Sequence, residues 1–164
     1  LLTPDAAERY NPMIPCYNAA IKIWHRYGPF NGNLMPFVML SNTLENVLLV
    51  DDDVDHLSIC SLILQRRNYA VRILLGCKNL DELIEVVREF RPGIIFMDHD
   101  MPGIGGLDAT KGLKSNPLSK SIPVIYFSGQ DDVAQLAAAA GADDFLRKHF
   151  YMPRLLELTA RYTA

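Results

Sequence analysis

From Asn46 onward the chain alternates short unbroken apolar runs with longer stretches in which apolar residues recur at helical spacing. Asn46 to Asp51 (NVLLVD) is an apolar run that closes on acids, the pattern of a parallel strand buried on both faces. Val54 to Asn68 follows with Leu57, Cys60 and Leu64 on one helical face, which must pack on a sheet. Tyr69 to Leu75 reads as a second strand and Leu80 to Phe90 as a second helix, stopped by Pro92 before the third strand, Gly93 to Asp98 (GIIFMD). Leu107 to Lys114 is helical, Ile122 to Ser128 (IPVIYFS) extended, and Asp131 to Ala140 an alanine-rich helix closed by Gly141. Asp144 to Lys148 is a last strand and Tyr151 to Tyr162 a last helix.

Five strands alternating with five helices predict an α/β fold, a doubly wound five-stranded parallel sheet of flavodoxin-like type, because right-handed crossovers cover both faces with helices. Such sheets carry their sites at the carboxyl ends of the strands. That rule selects Asp51, Asp52 and Asp53 after the first strand, Asp98 after the third, Ser128 after the fourth and Lys148 after the fifth.

Residues 1–38 differ from the rest: they hold five of the ten prolines and six of the fifteen aromatics, Trp24 included, but five charged residues. A short helix from Tyr17 to Tyr27 is compatible with this stretch, and nothing periodic in it specifies a binding face. The expected organisation is an extension over 1–38 and one domain over 39–164, Met39 being the natural start. Leu1 in place of Met points to a fragment, a processed product or an upstream extension. With sixteen residues after Lys148, the expectation is a last helix and no attached output domain.

Composition narrows the function classes. Hydrophobic residues are 49% and charged residues 21%, enough for a packed core. A formal charge of -3 with scattered basic residues disfavours direct nucleic-acid binding. Cys16, Cys60 and Cys77 show no metal-ligand spacing and read as reduced thiols. No apolar run approaches a bilayer span, so the expected location is the cytoplasm, off the membrane.

The collected acids need an explanation, since paired carboxylates repel by roughly 4 kcal/mol at about 4 Å and an effective dielectric of about 20. A divalent cation removes that cost, and an all-oxygen donor set suits Mg²⁺. Lys148 adds a point cation and Ser128 a hydroxyl, so the edge is suited to phosphoryl transfer onto a carboxylate.

The motifs VLLVDDD (Val47 to Asp53), FMDHDMPGIGG (Phe96 to Gly106), IPVIYFSG (Ile122 to Gly129) and GADDFLRKHF (Gly141 to Phe150) stand in this order along the chain. Together they closely resemble the receiver domain of two-component response regulators, the CheY-like family, from about Asn46 to the end. The resemblance implies that Asp98 is the phosphoacceptor, charged from a partner's phosphohistidine. It implies Mg²⁺ held directly by Asp52, Asp98 and the backbone carbonyl of Asp100, and by Asp51 mostly through water. Ser128 becomes the switch hydroxyl, Lys148 the phosphoryl-pairing lysine, and Phe145 the aromatic that rotates inward with Ser128. The implied partners are a sensor histidine kinase or histidine phosphotransfer protein and a downstream protein target. A homodimer through the fourth helix, last strand and last helix is a further option. The protein would be a signalling switch that assists its own phosphorylation and dephosphorylation, not an enzyme.

The chain departs from the family in places. His149 follows Lys148 where the family has proline, and a cis non-proline bond costs about 3 kcal/mol, so a trans bond or a reshaped loop is expected. Gly105 replaces a common acid and Gly129 a common alanine. Asp100 and Gln130 occupy positions at which the family tunes dephosphorylation, and the sequence leaves open whether Asp100 orients a water or repels one. Other features have plain readings: Asp53 as a helix N-cap, His56 as an exposed helix residue, His99 as a solvated neighbour of the acceptor, and Gly103, Gly105 and Gly106 as a turn and helix entry. Two rival functions stand beside the switch. Asp98-His99-Asp100 spells the DxD of haloacid dehalogenase-like phosphohydrolases, although the acidic cluster then precedes the nucleophile, in the wrong order. A pseudo-receiver, a binding module that is never phosphorylated, is the other.

Overall fold

A computed structural model of the chain describes residues 45–149 and 152–163. The predicted extension over 1–38, its helix from Tyr17 to Tyr27, Cys16 and the domain start at Met39 lie outside the described residues.

The described residues form five strands, β1 (Asn46–Asp51), β2 (Ala70–Leu75), β3 (Ile94–Asp98), β4 (Val124–Ser128) and β5 (Asp144–Arg147). Between and after them run α1 (Val54–Gln65), α2 (Leu80–Phe90), α3 (Gly106–Ser115), α4 (Val133–Ala140) and α5 (Met152–Thr163). One sheet in the order β2-β1-β3-β4-β5 is parallel throughout, as the alternation of elements predicts.

Side chains along a strand alternate between faces, and the core divides accordingly. Val47, Leu49, Ile94, Phe96, Ile125 and Phe127 pack against Leu57 and Leu64 of α1 and Leu155 and Leu158 of α5. Leu48, Val50, Ile95 and Met97 pack on the other face against Leu83 and Val87 of α2 and Ala109 and Leu113 of α3. Tyr126 lies under α4, against Val133, Ala137 and Ala140, where the small side chains let the helix approach closely. Every residue of β3 and β4 is buried, which is why these strands read as continuous apolar runs.

Most element ends fall within two residues of expectation. The first helix is shorter than its apolar pattern: it stops at Gln65, and Asn68, expected inside it, has φ of 63° and turns the chain into β2. Asparagine tolerates that left-handed geometry better than most residues.

Candidate functional site

Asp51 and Asp98 end adjacent segments of the sheet, on β1 and β3, and both side chains face the side covered by α1 and α5. They are 3% and 2% exposed, buried among apolar neighbours that cannot solvate charge. Lys148 answers this from the turn after β5: its Nζ lies 2.6 Å from Asp98 Oδ1 and 3.1 Å from Asp51 Oδ2. No peptide bond among the described residues is cis, so Lys148–His149 is trans, and the lysine still reaches both carboxylates without the family's proline.

Asp51 is saturated by the protein. Its Oδ1 accepts from the backbone N–H of Asp53 at 3.0 Å, and its Oδ2 accepts from Lys148 and from His56 Nδ1 at 2.6 Å. Burial pushes this carboxyl up, but the bonds from His56 and Asp53 and the Lys148 charge outweigh burial and hold it below the ordinary 3.8. Asp98 goes the other way. Burial and the charge of Asp51 raise it despite its bond to Lys148, so the lysine's compensation is unequal between its two partners. Lys148 itself is pushed down by burial and, more strongly, up by Asp98 and Asp51, ending above its ordinary 10.5.

Asp52 is exposed at the mouth, and one carboxylate oxygen from each of Asp51, Asp52 and Asp98 lies within 4.8 Å of the others. Three hard oxygen donors with no nitrogen or sulfur among them fit Mg²⁺. Asp98 Oδ2 also accepts from the backbone N–H of Asp100 at 3.1 Å, which turns the chain behind the acceptor. Ser128 is buried at the end of β4, its Oγ accepting from Gln130 N–H at 3.1 Å. Phe145 on β5 stands 36% exposed, its ring at the surface.

Two readings of the sequence are corrected here. His56 is not an exposed helix residue: it lies on the inward side of α1, its side chain 11% exposed, with its ring centroid 4.6 Å from that of Phe127. His99 is not merely a solvated neighbour, because its Nδ1 lies 2.6 Å from the buried Tyr126 hydroxyl. The helical period from the capping residue could have pointed to His56, since Asp53 caps α1 through bonds from Asp55 and His56 N–H, as expected, and so fixes the helix phase. No sequence signal pairs His99 with Tyr126.

The glycine segment is a turn and helix entry, as expected. Gly103 has φ of 89° and bridges to Cys77, while Gly105 caps α3. A Cβ on Gly106 would stand 1.9 Å from the carbonyl oxygen of Asp98, so only glycine lets α3 start this close to the acceptor.

The model of the family "response regulator receiver domain" matches residues 47–160. The phosphate regulon transcriptional regulatory protein PhoB of Pseudomonas aeruginosa is 30% identical over 73% of this chain and 51% of its own length. This chain thus spans about half the length of the first curated relatives it matches. The chemotaxis response regulator CheY4 of Vibrio cholerae superposes with a TM-score of 0.64 at 25% identity, over 73% of this chain and 98% of that one. The receiver domain of the sensor histidine kinase PA1611 of Pseudomonas aeruginosa, solved with a magnesium ion coordinated in its active site cleft, has a TM-score of 0.63 at 22% identity. It covers 73% of this chain and 98% of its own, a likeness of fold.

Proposed function

We propose, from the premise that this chain belongs to the response regulator receiver domain family, that Asp98 is the residue that takes up the phosphoryl group. Receiver domains of this family are phosphoacceptor switches in two-component signalling, and this chain is one of them. The observation that carries the assignment is the pair of buried carboxylates sharing one lysine, with a third carboxylate at the open mouth.

An Asp98 oxygen attacks the phosphorus of a partner's phosphohistidine. The new bond runs from that oxygen to phosphorus, the bond from phosphorus to the imidazole nitrogen breaks, and its electron pair stays on the imidazole. Lys148 is already at Asp98 and pairs with a phosphoryl oxygen as charge moves onto it. Ser128 supplies a hydroxyl at the neighbouring strand end. Asp52, with its exposed carboxylate, would hold Mg²⁺ directly together with Asp98 and the Asp100 carbonyl. Asp51 would act through water, in keeping with the three donors that already occupy it. Mg²⁺, when bound, supplies positive charge that offsets the carboxylates and the incoming phosphoryl oxygens.

The added negative charge is then read at the surface. Phe145, half-exposed beside Ser128's strand, is the aromatic that turns inward, altering the face formed by α4, β5 and α5. A sensor histidine kinase or phosphotransfer protein is the proposed source and a second protein the proposed reader. A homodimer through that same face is the alternative reader. The proposed partners exclude direct nucleic acid and membrane contact; no helix among the described residues is long and apolar enough to cross a membrane.

The test is mass spectrometry after incubation with acetyl phosphate and Mg²⁺. One phosphoryl group on Asp98, lost in Asp98→Asn, is the expected result. Uptake that persists in Asp98→Asn removes the assignment, and sustained hydrolysis of a small phosphate ester would favour the phosphohydrolase reading instead.

A further inference from the structure

We propose that His56 is a positioning residue for the metal site and the acceptor, holding the Asp51 carboxylate in place so that Lys148 can leave it for the incoming phosphoryl group. This rests on the receiver reading above and adds a residue that reading does not use.

Among the described residues Asp51 Oδ2 has two side-chain donors, Lys148 Nζ at 3.1 Å and His56 Nδ1 at 2.6 Å, while the N–H of Asp53 serves Oδ1. An ammonium and a backbone N–H can only donate, so Asp51 is the acceptor on both oxygens. The ring nitrogen that faces it therefore carries hydrogen whether the imidazole is neutral or charged.

The ring is held on its other sides. It lies one turn before Cys60, whose Sγ is 3.7 Å from Nε2. Its centroid is 4.6 Å from that of Phe127, the residue before Ser128 on β4, and Lys148 Nζ lies over the same Phe127 ring, 5.7 Å from its centroid. The backbone N–H of His56 is tied to the Asp53 side chain that caps the helix. A donor fixed by backbone, thiol and aromatic ring has little freedom left to lose when it grips a carboxylate, whereas a lysine reaches the same oxygen on a long flexible arm.

Lys148 is committed elsewhere. Its Nζ is 2.6 Å from Asp98 Oδ1, closer than to Asp51, and in phosphoryl uptake it pairs with a phosphoryl oxygen. As it moves, the buried Oδ2 of Asp51 loses one of its two side-chain donors, and a buried carboxylate left without a partner is costly. Without His56 that cost would fall on the uptake step: either the lysine stays behind, or Asp51 turns after it and away from Asp52 and Asp98. One oxygen from each of these three lies within 4.8 Å of the others, a spacing that requires Asp51 to keep its orientation. His56 touches neither the ion nor the phosphoryl group and acts through Asp51.

Asparagine and leucine share one branched outline, but only the amide places an N–H at the reach of Nδ1. Calorimetric titration of Mg²⁺ into the full, unphosphorylated chain should show affinity about tenfold weaker in His56→Leu, and within about threefold of the unaltered chain in His56→Asn. At saturating Mg²⁺ for each chain, uptake onto Asp98 from acetyl phosphate, followed by intact mass, should slow about tenfold in His56→Leu and be largely restored in His56→Asn. That is the scale of one hydrogen bond to a charged group. Urea denaturation in chelator checks that the variants fold, and His56→Met, which fills the site without a donor, replaces His56→Leu if that one does not. Unaltered affinity or unaltered uptake in His56→Leu, or equal losses in His56→Leu and His56→Asn, overturns the proposal. If the unaltered chain neither binds Mg²⁺ nor takes up a phosphoryl group, the receiver reading fails and this one with it. Binding and uptake that are indifferent to His56 defeat this proposal alone.

Discussion

Tyr126 links protonation to stability. Its pKa is near 10.0 when exposed in the unfolded chain and is raised to about 12 in the fold. A group raised in this way contributes stability that is fully present below the unfolded value and is lost as pH climbs through the folded one. Urea denaturation of the unaltered chain and of Tyr126→Phe should therefore converge in stability between pH of about 10 and about 12, the unaltered chain falling more steeply. Parallel curves would mean the hydroxyl is not held as described. At this scale the sequence revealed residues whose position at a strand end is set by the fold class alone: Asp51, Asp98, Ser128 and Lys148 are each where the apolar runs stop. It did not reveal His56 or the partner of His99. Their roles depend on helix phase and on which strand lies alongside, and neither is written in a local pattern.

Packing of α3 against β3 makes Gly106 the most exacting position of its element. Gly106→Ala would drive a Cβ into the Asp98 carbonyl, backbone that cannot swing aside. A loss of about 3 kcal/mol is expected, at the upper end for overpacking, together with slowed phosphoryl uptake; urea denaturation and intact mass would measure the two. Gly112→Ala, within the same helix, meets only the tip of Leu80, a flexible side chain, and should cost far less. A similar loss at both sites would contradict this distinction. Element types were legible because apolar period separates buried strands from amphipathic helices, and α2 was bounded correctly at both ends. The end of α1 was not, because Arg66 and Arg67 continue a helix-favouring composition, and only the turn at Asn68 into β2 stops it.

Among the described residues, acidic side chains converge at the carboxyl end of the sheet, where Lys148 lies against two of them. Binding of Mg²⁺ to that edge favours the folded state over the unfolded one. At a concentration about 100 times the dissociation constant the gain is about 2.7 kcal/mol, read as a shift of the urea midpoint between Mg²⁺ and chelator. Asp52→Ala should shrink that shift by weakening the ion's grip, and a shift of undiminished size would place the ion elsewhere. The sheet and its strand order followed from alternation and crossover handedness, which leave few arrangements for five such units. Charge balance within the edge did not, since it depends on the reach of Lys148 past a histidine.

Lys148 draws its two partners from β1 and β3 and arrives itself from beyond β5, so the three groups meet only across long loops of chain. During synthesis the ammonium emerges after both acids, and until it docks the pair lacks its shared cation. A chain that stops short of β5 can assemble neighbouring strands yet cannot own a competent pocket, which ties chemical readiness to completion of the sheet.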